Sequence, residues 1–225
     1  MSANPEDINQ DRLVSLKING QTYFANPDET ILEVSKRNSI EIPHLCYKED
    51  MRPDGNCRVC MVEIEGERVL QPSCVRTVTD GMIINTSTER VNHSQKLVLE
   101  LLTSDVSEEV YTQDNELTTW ANKLQIQTHR FPSNIQDKRD TSHPAITVNL
   151  SACIQCTRCV RACREEQVND VIGYAHRGIK SEIVFDINDP MGESTCVGCG
   201  ECVQACPTGA LMPSKEVGLT IPDKK

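Results

Sequence analysis

Eight of the chain's twelve cysteines lie in its last third as two copies of one spacing, C-x2-C-x2-C-x3-C. They are Cys153, Cys156, Cys159 and Cys163, then Cys196, Cys199, Cys202 and Cys206, the second copy followed by Pro207. Two residues between ligands let a tight loop wrap three thiolates around one face of a cubane and leave the fourth ligand to come from elsewhere. Where two such copies occur, the fourth thiolate is exchanged between them. One 4Fe-4S cluster is therefore expected on Cys153, Cys156, Cys159 and Cys206, and another on Cys163, Cys196, Cys199 and Cys202. Exchange would tie both clusters into one unit, which suits electron hopping.

Two other cysteine chemistries compete with this reading. Disulfides would need an oxidising compartment, and the N-terminus, Met1 to Asp11, is polar and acidic with none of the apolar core of an export signal. Zinc is the stronger rival, because C-x2-C pairs are also zinc ligands. Zinc sites take their four ligands as two separated pairs, whereas each run here carries four with a three-residue final gap.

The remaining cysteines, Cys46, Cys57, Cys60 and Cys74, form C-x10-C-x2-C-x13-C. A plant-type 2Fe-2S site uses C-x4-C-x2-C with a distant fourth ligand, so the first gap here is longer. The surroundings still predict the same kind of fold. Val14, Leu16 and Ile18 alternate with polar residues, Asn19-Gly20 is a hairpin turn, and Thr22 to Ala25 returns. Asp28 is the expected cap of a helix carrying Ile31, Leu32 and Val34. Val59 to Glu65 reads as a strand with Val62 and Ile64 on one face, followed by a turn at Gly66 and a return through Arg68 to Gln71. Hairpin, helix, ligand loop and later strands describe a β-grasp 2Fe-2S domain over residues 12–86.

The class is α+β: that domain, a helical connector without cluster ligands over 87–144, a double 4Fe-4S domain over 145–213, and a tail, 214–225. With three Phe, one Trp and four Tyr the chain has little aromatic core. The C-terminal module, about 70 residues, is small enough to need a staple, and cluster binding would drive its folding. No apolar run reaches the ~18 residues of a membrane span. The net charge of -10 disfavours nucleic acid as a partner. Free thiols without an export signal point to a reducing cytoplasm.

In the connector, Thr86 and Glu89 read as a capping box, with Val91, Leu97, Val98, Leu101 and Leu102 on one helical face. A second helix is expected from Asn115 to Leu124, with Trp120 as a core anchor, and the loops beyond carry His129 and His143. Near the first 4Fe-4S motif, Arg158, Arg161, Arg164 and Lys180 could balance cluster charge, tune its potential or form a docking rim. Asn56, Arg58 and Val59 could offer amides to the 2Fe-2S sulfurs, and Gly198 and Gly200 allow either close approach or a turn. No nucleophile–base motif, phosphate loop or nicotinamide fingerprint is present.

In order, these motifs resemble the N-terminal iron–sulfur region of the alpha subunit of soluble NAD-dependent formate dehydrogenases. The resemblance is carried by Ala152 to Cys156, by Arg161 to Gly173, and by Asp189 to Cys196 continuing to Pro213. Relatives of that family include the large iron–sulfur subunit of respiratory complex I and the diaphorase-side small subunit of NAD-reducing hydrogenases. These commonly add a cluster on one His and three Cys after the first domain. No cysteine lies between Cys74 and Cys153 here, so that cluster is expected to be absent and His93 to be an ordinary helix residue.

The resemblance implies one 2Fe-2S and two 4Fe-4S clusters, and no catalytic site within the chain. It implies partners on both sides: a molybdopterin-containing catalytic subunit or domain, and a flavin- and NAD-binding diaphorase. Electrons would pass singly between them. A diaphorase-side subunit of an NAD-reducing hydrogenase and a zinc-stabilised interaction module stand as alternatives.

Overall fold

The computed structural model describes residues 13–107, 115–126, 130–136 and 138–214. They fall into two compact units: a first comprising the chain up to His44 with Arg58–Gln95, and a second comprising Leu45–Cys57 with everything from Lys96.

The first unit begins with the hairpin β1 (Val14–Ile18) and β2 (Gln21–Ala25), paired antiparallel from Val14 with Ala25 to Ile18 with Gln21. Asn19 and Gly20 both take left-handed backbone, φ 50° and 84°, which matches the twist of the two strands. Helix α1 (Ile31–Arg37) follows, burying Ile31, Leu32 and Val34. Its cap is Thr30 rather than the expected Asp28. The Thr30 hydroxyl accepts from Glu33 N–H at 3.3 Å and the Glu33 carboxylate accepts from Thr30 N–H at 2.7 Å, a reciprocal pair that Asp28 cannot form at its spacing.

β3 (Met61–Ile64), β4 (Gln71–Pro72) and β5 (Ile83–Asn85) complete a sheet of order β2-β1-β5-β3-β4. β1 and β5 run parallel at its centre, and the other pairs are antiparallel. This is the expected β-grasp arrangement. The central β5, three residues long, is too short to show a period in sequence, yet its Ile84 is fully buried.

Helix α2 (Glu89–Ser104) carries the chain from the first unit into the second. Thr88, not Thr86, serves its N-terminus, its hydroxyl accepting from Val91 N–H at 3.2 Å. Thr86 instead pairs with the side chain of Asn19 at 2.8 and 2.9 Å. The buried face also differs from the expected stripe of Val91, Leu97, Val98, Leu101 and Leu102. Val91, Gln95 and Leu99 are buried at four-residue spacing, while Leu101 is 41% exposed. Gln95 belongs to the interior because its amide donates to Met61 O at 2.9 Å, so a polar residue at a core position hid the helix period.

The second unit holds a three-stranded antiparallel sheet of order β10-β7-β6 and a separate hairpin. The sheet comprises β6 (Arg139–Asp140), β7 (Ile146–Asn149) and β10 (Leu211–Pro213). The hairpin pairs β8 (Ile172–Ala175) with β9 (Glu182–Phe185). Their core of Ile146, Val148, Val171, Ile172, Ile183, Phe185, Met191 and Leu211 includes Cys159, Cys163 and Cys202. Helix α3 (Glu116–Lys123) is capped by the Asn115 side chain, which accepts from Thr118 N–H at 3.0 Å. It buries Leu117 and Ala121. Trp120 is only half-buried, with the Lys123 ammonium 4.9 Å from its ring centre, so Leu117 takes the anchoring place expected of Trp120. His129 lies outside the described residues.

Candidate metal centres

The two cysteine runs adopt matched backbones. Gln155 and Thr157 in the first copy have φ 55° and 63°, and Gly198 and Gly200 at the equivalent places in the second have 69° and 83°. Each loop turns so that the residue two after its first cysteine donates N–H to that thiol sulfur. Gln155 donates to Cys153 Sγ at 3.4 Å, and Gly198 to Cys196 Sγ at 3.4 Å. A Cβ at Gly200 would meet no atom within 4 Å, and at Gly198 only the His143 ring at 3.6 Å. The glycines therefore serve the left-handed turn, not a close approach of protein atoms.

Helix α4 (Arg158–Arg161) carries Cys159 and continues as a wider π-helical turn, Ala162–Glu166, that carries Cys163. Val171 N–H donates to Cys163 Sγ at 3.3 Å. Helix α5 (Glu201–Ala205) carries Cys202 and ends at Cys206. The result is an exchanged grouping. Cys153, Cys156, Cys159 and Cys206 line one small cavity, walled by Ile154, Ile183 and Leu211. Cys163, Cys196, Cys199 and Cys202 line another, walled by Ile146, Val171 and Ile172. Among the described residues no three His, Cys, Asp or Glu side chains converge on a single-ion site. Four thiols around a shared space fit a multinuclear cluster better than one zinc ion.

Electrostatics point the same way. Burial pushes the Cys153 and Cys202 thiols up to about 12, with neighbouring cysteines adding to the rise at Cys202, and pushes Cys156 and Cys159 well above the ordinary thiol value. Several thiolates in one buried cavity repel each other and lack hydration, so they need a bound cationic metal centre to exist together; metal coordination deprotonates them outright. Cys199 alone of the twelve is exposed.

The other four cysteines are distributed over both units. Cys46 and Cys57 lie in the 45–57 loop of the second unit, where Cys46 N–H donates to Cys57 Sγ at 3.4 Å. Cys60 and Cys74 lie in the first unit, Cys60 just before β3 and Cys74 just after β4, and Ser73 N–H donates to Cys60 O at 3.0 Å. Cys46, Cys60 and Cys74 are buried and Cys57 is half-buried. His93 is an exposed residue of α2.

The four basic residues near the first run separate sharply. Arg164 is exposed and pairs with Asp170 at 2.6 Å, and Lys180 is exposed. Arg158 and Arg161 are each only 3% exposed, and Arg158 is met by Glu116 at 2.6 Å. Glu116 carried no signal in sequence, since it is one of many acids on a short helix. Asn56, expected to offer its backbone amide to a cluster, donates its side-chain amide to Gln155 O at 2.8 Å.

Comparison with known proteins agrees with this geometry. Residues 11–89 match the 2Fe-2S iron–sulfur cluster binding domain and residues 152–210 match the 4Fe-4S dicluster domain. An NADP-reducing hydrogenase subunit, HndD, of Solidesulfovibrio fructosivorans is 32% identical over 94% of this chain and 39% of its own length. A G-type NADH-quinone oxidoreductase subunit of Rhizobium meliloti is 31% identical over 89% of this chain and 24% of its own. A putative formate dehydrogenase of Staphylococcus haemolyticus is 29% identical over 90% and 21%. The chain thus spans well under half the length of these curated relatives. A chain of a solved NAD+-reducing [NiFe]-hydrogenase superposes with a TM-score of 0.84 at 26% identity, covering 93% of this chain and 90% of that one. No helix among the described residues is long and apolar enough to cross a membrane. With one 2Fe-2S domain and one 4Fe-4S dicluster domain in series, the chain is an iron–sulfur electron-transfer module related to formate dehydrogenase, NADH-quinone oxidoreductase and NAD-reducing hydrogenase subunits.

Proposed function

We propose that the chain relays single electrons between a molybdopterin formate-oxidising centre and a flavin partner that reduces NAD, within a cytoplasmic complex. Its ligand sets are Cys46, Cys57, Cys60 and Cys74 for the 2Fe-2S cluster, Cys153, Cys156, Cys159 and Cys206 for one 4Fe-4S cluster, and Cys163, Cys196, Cys199 and Cys202 for the other. The observation that carries the relay is the pair of cavities, each enclosed by an exchanged set of four thiols. Bound clusters supply one-electron redox steps. The chain's own residues space them, exclude water with Ile146, Ile154, Ile183 and Leu211, and direct N–H groups at thiol sulfurs, which tunes their potentials.

The stretch Arg164 to Gly173 favours the formate reading. A second reading, a diaphorase-side hydrogenase subunit, is favoured by the extent of the structural match, 90% of the hydrogenase chain. Iron and acid-labile sulfide in the anaerobically purified chain should reach about ten irons, from one 2Fe-2S and two 4Fe-4S clusters; zinc with little sulfide would refute the relay. The complex captured through a tagged chain then separates the readings. Formate should reduce its clusters in low-temperature EPR, and reduction by hydrogen but not formate would establish the second reading instead.

A further inference from the structure

Thirteen residues of ligand loop, Leu45–Cys57, belong to the second unit, and the reason lies in two arginines of the first 4Fe-4S motif. Arginine is almost never fully buried unless its donors are matched. Arg158 Nη1 and Nη2 meet the Glu116 carboxylate at 2.6 and 2.9 Å, and Nη2 also donates to the carbonyl of Tyr47. Arg161 donates from Nη2 to Cys46 O at 2.6 Å and from Nη1 to Arg52 O at 2.6 Å. The planar fork of a guanidinium can span two carbonyls in this way, and an ammonium cannot.

The rest of the loop is fastened to the same unit along its length. Lys48 Nζ donates to Gln204 O at 2.9 Å, Thr157 Oγ1 to Asp54 Oδ2 at 2.6 Å, and Arg52 pairs with Glu165 at 3.1 Å. Met51 packs with Ala162 and Ala205.

Arg161 differs from Arg158 in charge balance. Among the described residues no carboxylate pairs with it, and its Nε, like that of Arg158, is buried without an acceptor. A buried cation facing only carbonyl dipoles is costly unless an anion lies close by. Four thiolates and two sulfides outweigh the charge of two ferric ions, so a 2Fe-2S cluster on Cys46 is such an anion, and it gains a further negative charge on reduction.

We propose that Arg161, supported by Arg158, is a positioning residue for the 2Fe-2S cluster: from the helix of the first 4Fe-4S motif it holds the carbonyl of Cys46, and its charge raises that cluster's potential by favouring the reduced form. The proposal rests on the reading that Cys46 is a 2Fe-2S ligand. It makes the 2Fe-2S site depend on the fold of the neighbouring 4Fe-4S motif, and it puts the cluster's potential under the control of a residue outside the family's 2Fe-2S segment, 11–89.

The test uses the full chain purified without oxygen, with EPR-monitored redox titration of wild type, Arg161→Gln, Arg161→Lys and Cys46→Ala. Gln removes the charge and keeps a donor; Lys keeps the charge and loses the fork. The 2Fe-2S midpoint should move to lower potential in R161Q, by more than either 4Fe-4S midpoint, and R161K should recover most of the shift while its 2Fe-2S line shape changes. An unshifted 2Fe-2S midpoint in R161Q, or an equal shift of all three clusters, overturns the proposal. If R161Q does not fold, R161K decides, because a wild-type line shape with the fork lost overturns the clasp. Retention of a wild-type 2Fe-2S signal in C46A would overturn the ligand reading itself, an outcome separate from the arginine's.

Discussion

The hydroxyl of Tyr174 on β8 donates to the side-chain oxygen of Gln155 at 2.6 Å, in the middle of the first ligand loop. Gln155 sits in left-handed backbone, φ 55°, where a non-glycine residue costs about 1–2 kcal/mol. Its own amide offsets that cost by donating to Ser181 O at 2.7 Å, and its carbonyl accepts from Asn56 at 2.8 Å. The second copy has glycine at this place and needs no such scaffold. Tyr174→Phe should therefore perturb only the Cys153 set. We expect a loss of about 0.5–1.5 kcal/mol in urea unfolding, with altered EPR of one 4Fe-4S cluster and not the other.

Exchange of the fourth ligand is tested by Cys206→Ala. That variant should retain about six irons. Mass mapping after brief alkylation of native protein should find Cys153, Cys156 and Cys159 newly modified, with Cys196 and Cys202 still protected. Modification of Cys196 and Cys202 instead would mean that each run keeps its own four ligands.

Gly192 precedes the second run by four residues and has no room for a side chain. A Cβ there would lie 2.4 Å from Ser142 O, 2.6 Å from its carbonyl carbon and 3.0 Å from His143 N. All three are backbone atoms, so the segment itself must move. Its register is fixed by Gly192 N–H donating to Ser142 Oγ at 2.8 Å and Met191 N–H to Asp140 Oδ2 at 2.6 Å. Gly192→Ala should cost about 1–3 kcal/mol, read as a lower urea midpoint, and should lower iron retention at the Cys196 set before the other.

Alkaline pH should separate the cluster-free from the loaded protein. Burial raises Cys153 and Cys202 from about 9 to about 12. A thiol held protonated by the fold favours folding below its unfolded pKa, and that contribution is lost as pH rises through the folded value. The cluster-free chain should thus lose stability from about pH 9 upward. In the loaded chain those sulfurs are already bound to iron as thiolates, so the same trend should be missing. Urea midpoints measured from about pH 7.5 to 10.5 without oxygen check both arms.

The cysteine spacing carried most of the chemistry, because a cluster ligand must be cysteine and a loop around a cubane has few lengths. The hairpin at Asn19-Gly20 was legible for a similar reason, since its turn type needs two left-handed residues. Other features depend on partners distant in sequence. The burial of Gln95 depends on Met61 O as its acceptor, and Thr30 displaced Asp28 as a cap through Glu33. Arg158 and Arg161 were visible beside the first motif, but their direction was not. Only the tertiary structure decided that both turn inward to the carbonyls of Tyr47 and Cys46, more than a hundred residues earlier. Local spacing determines which atoms can hold a cluster; which long side chains are buried depends on chain closure, and no local pattern records that.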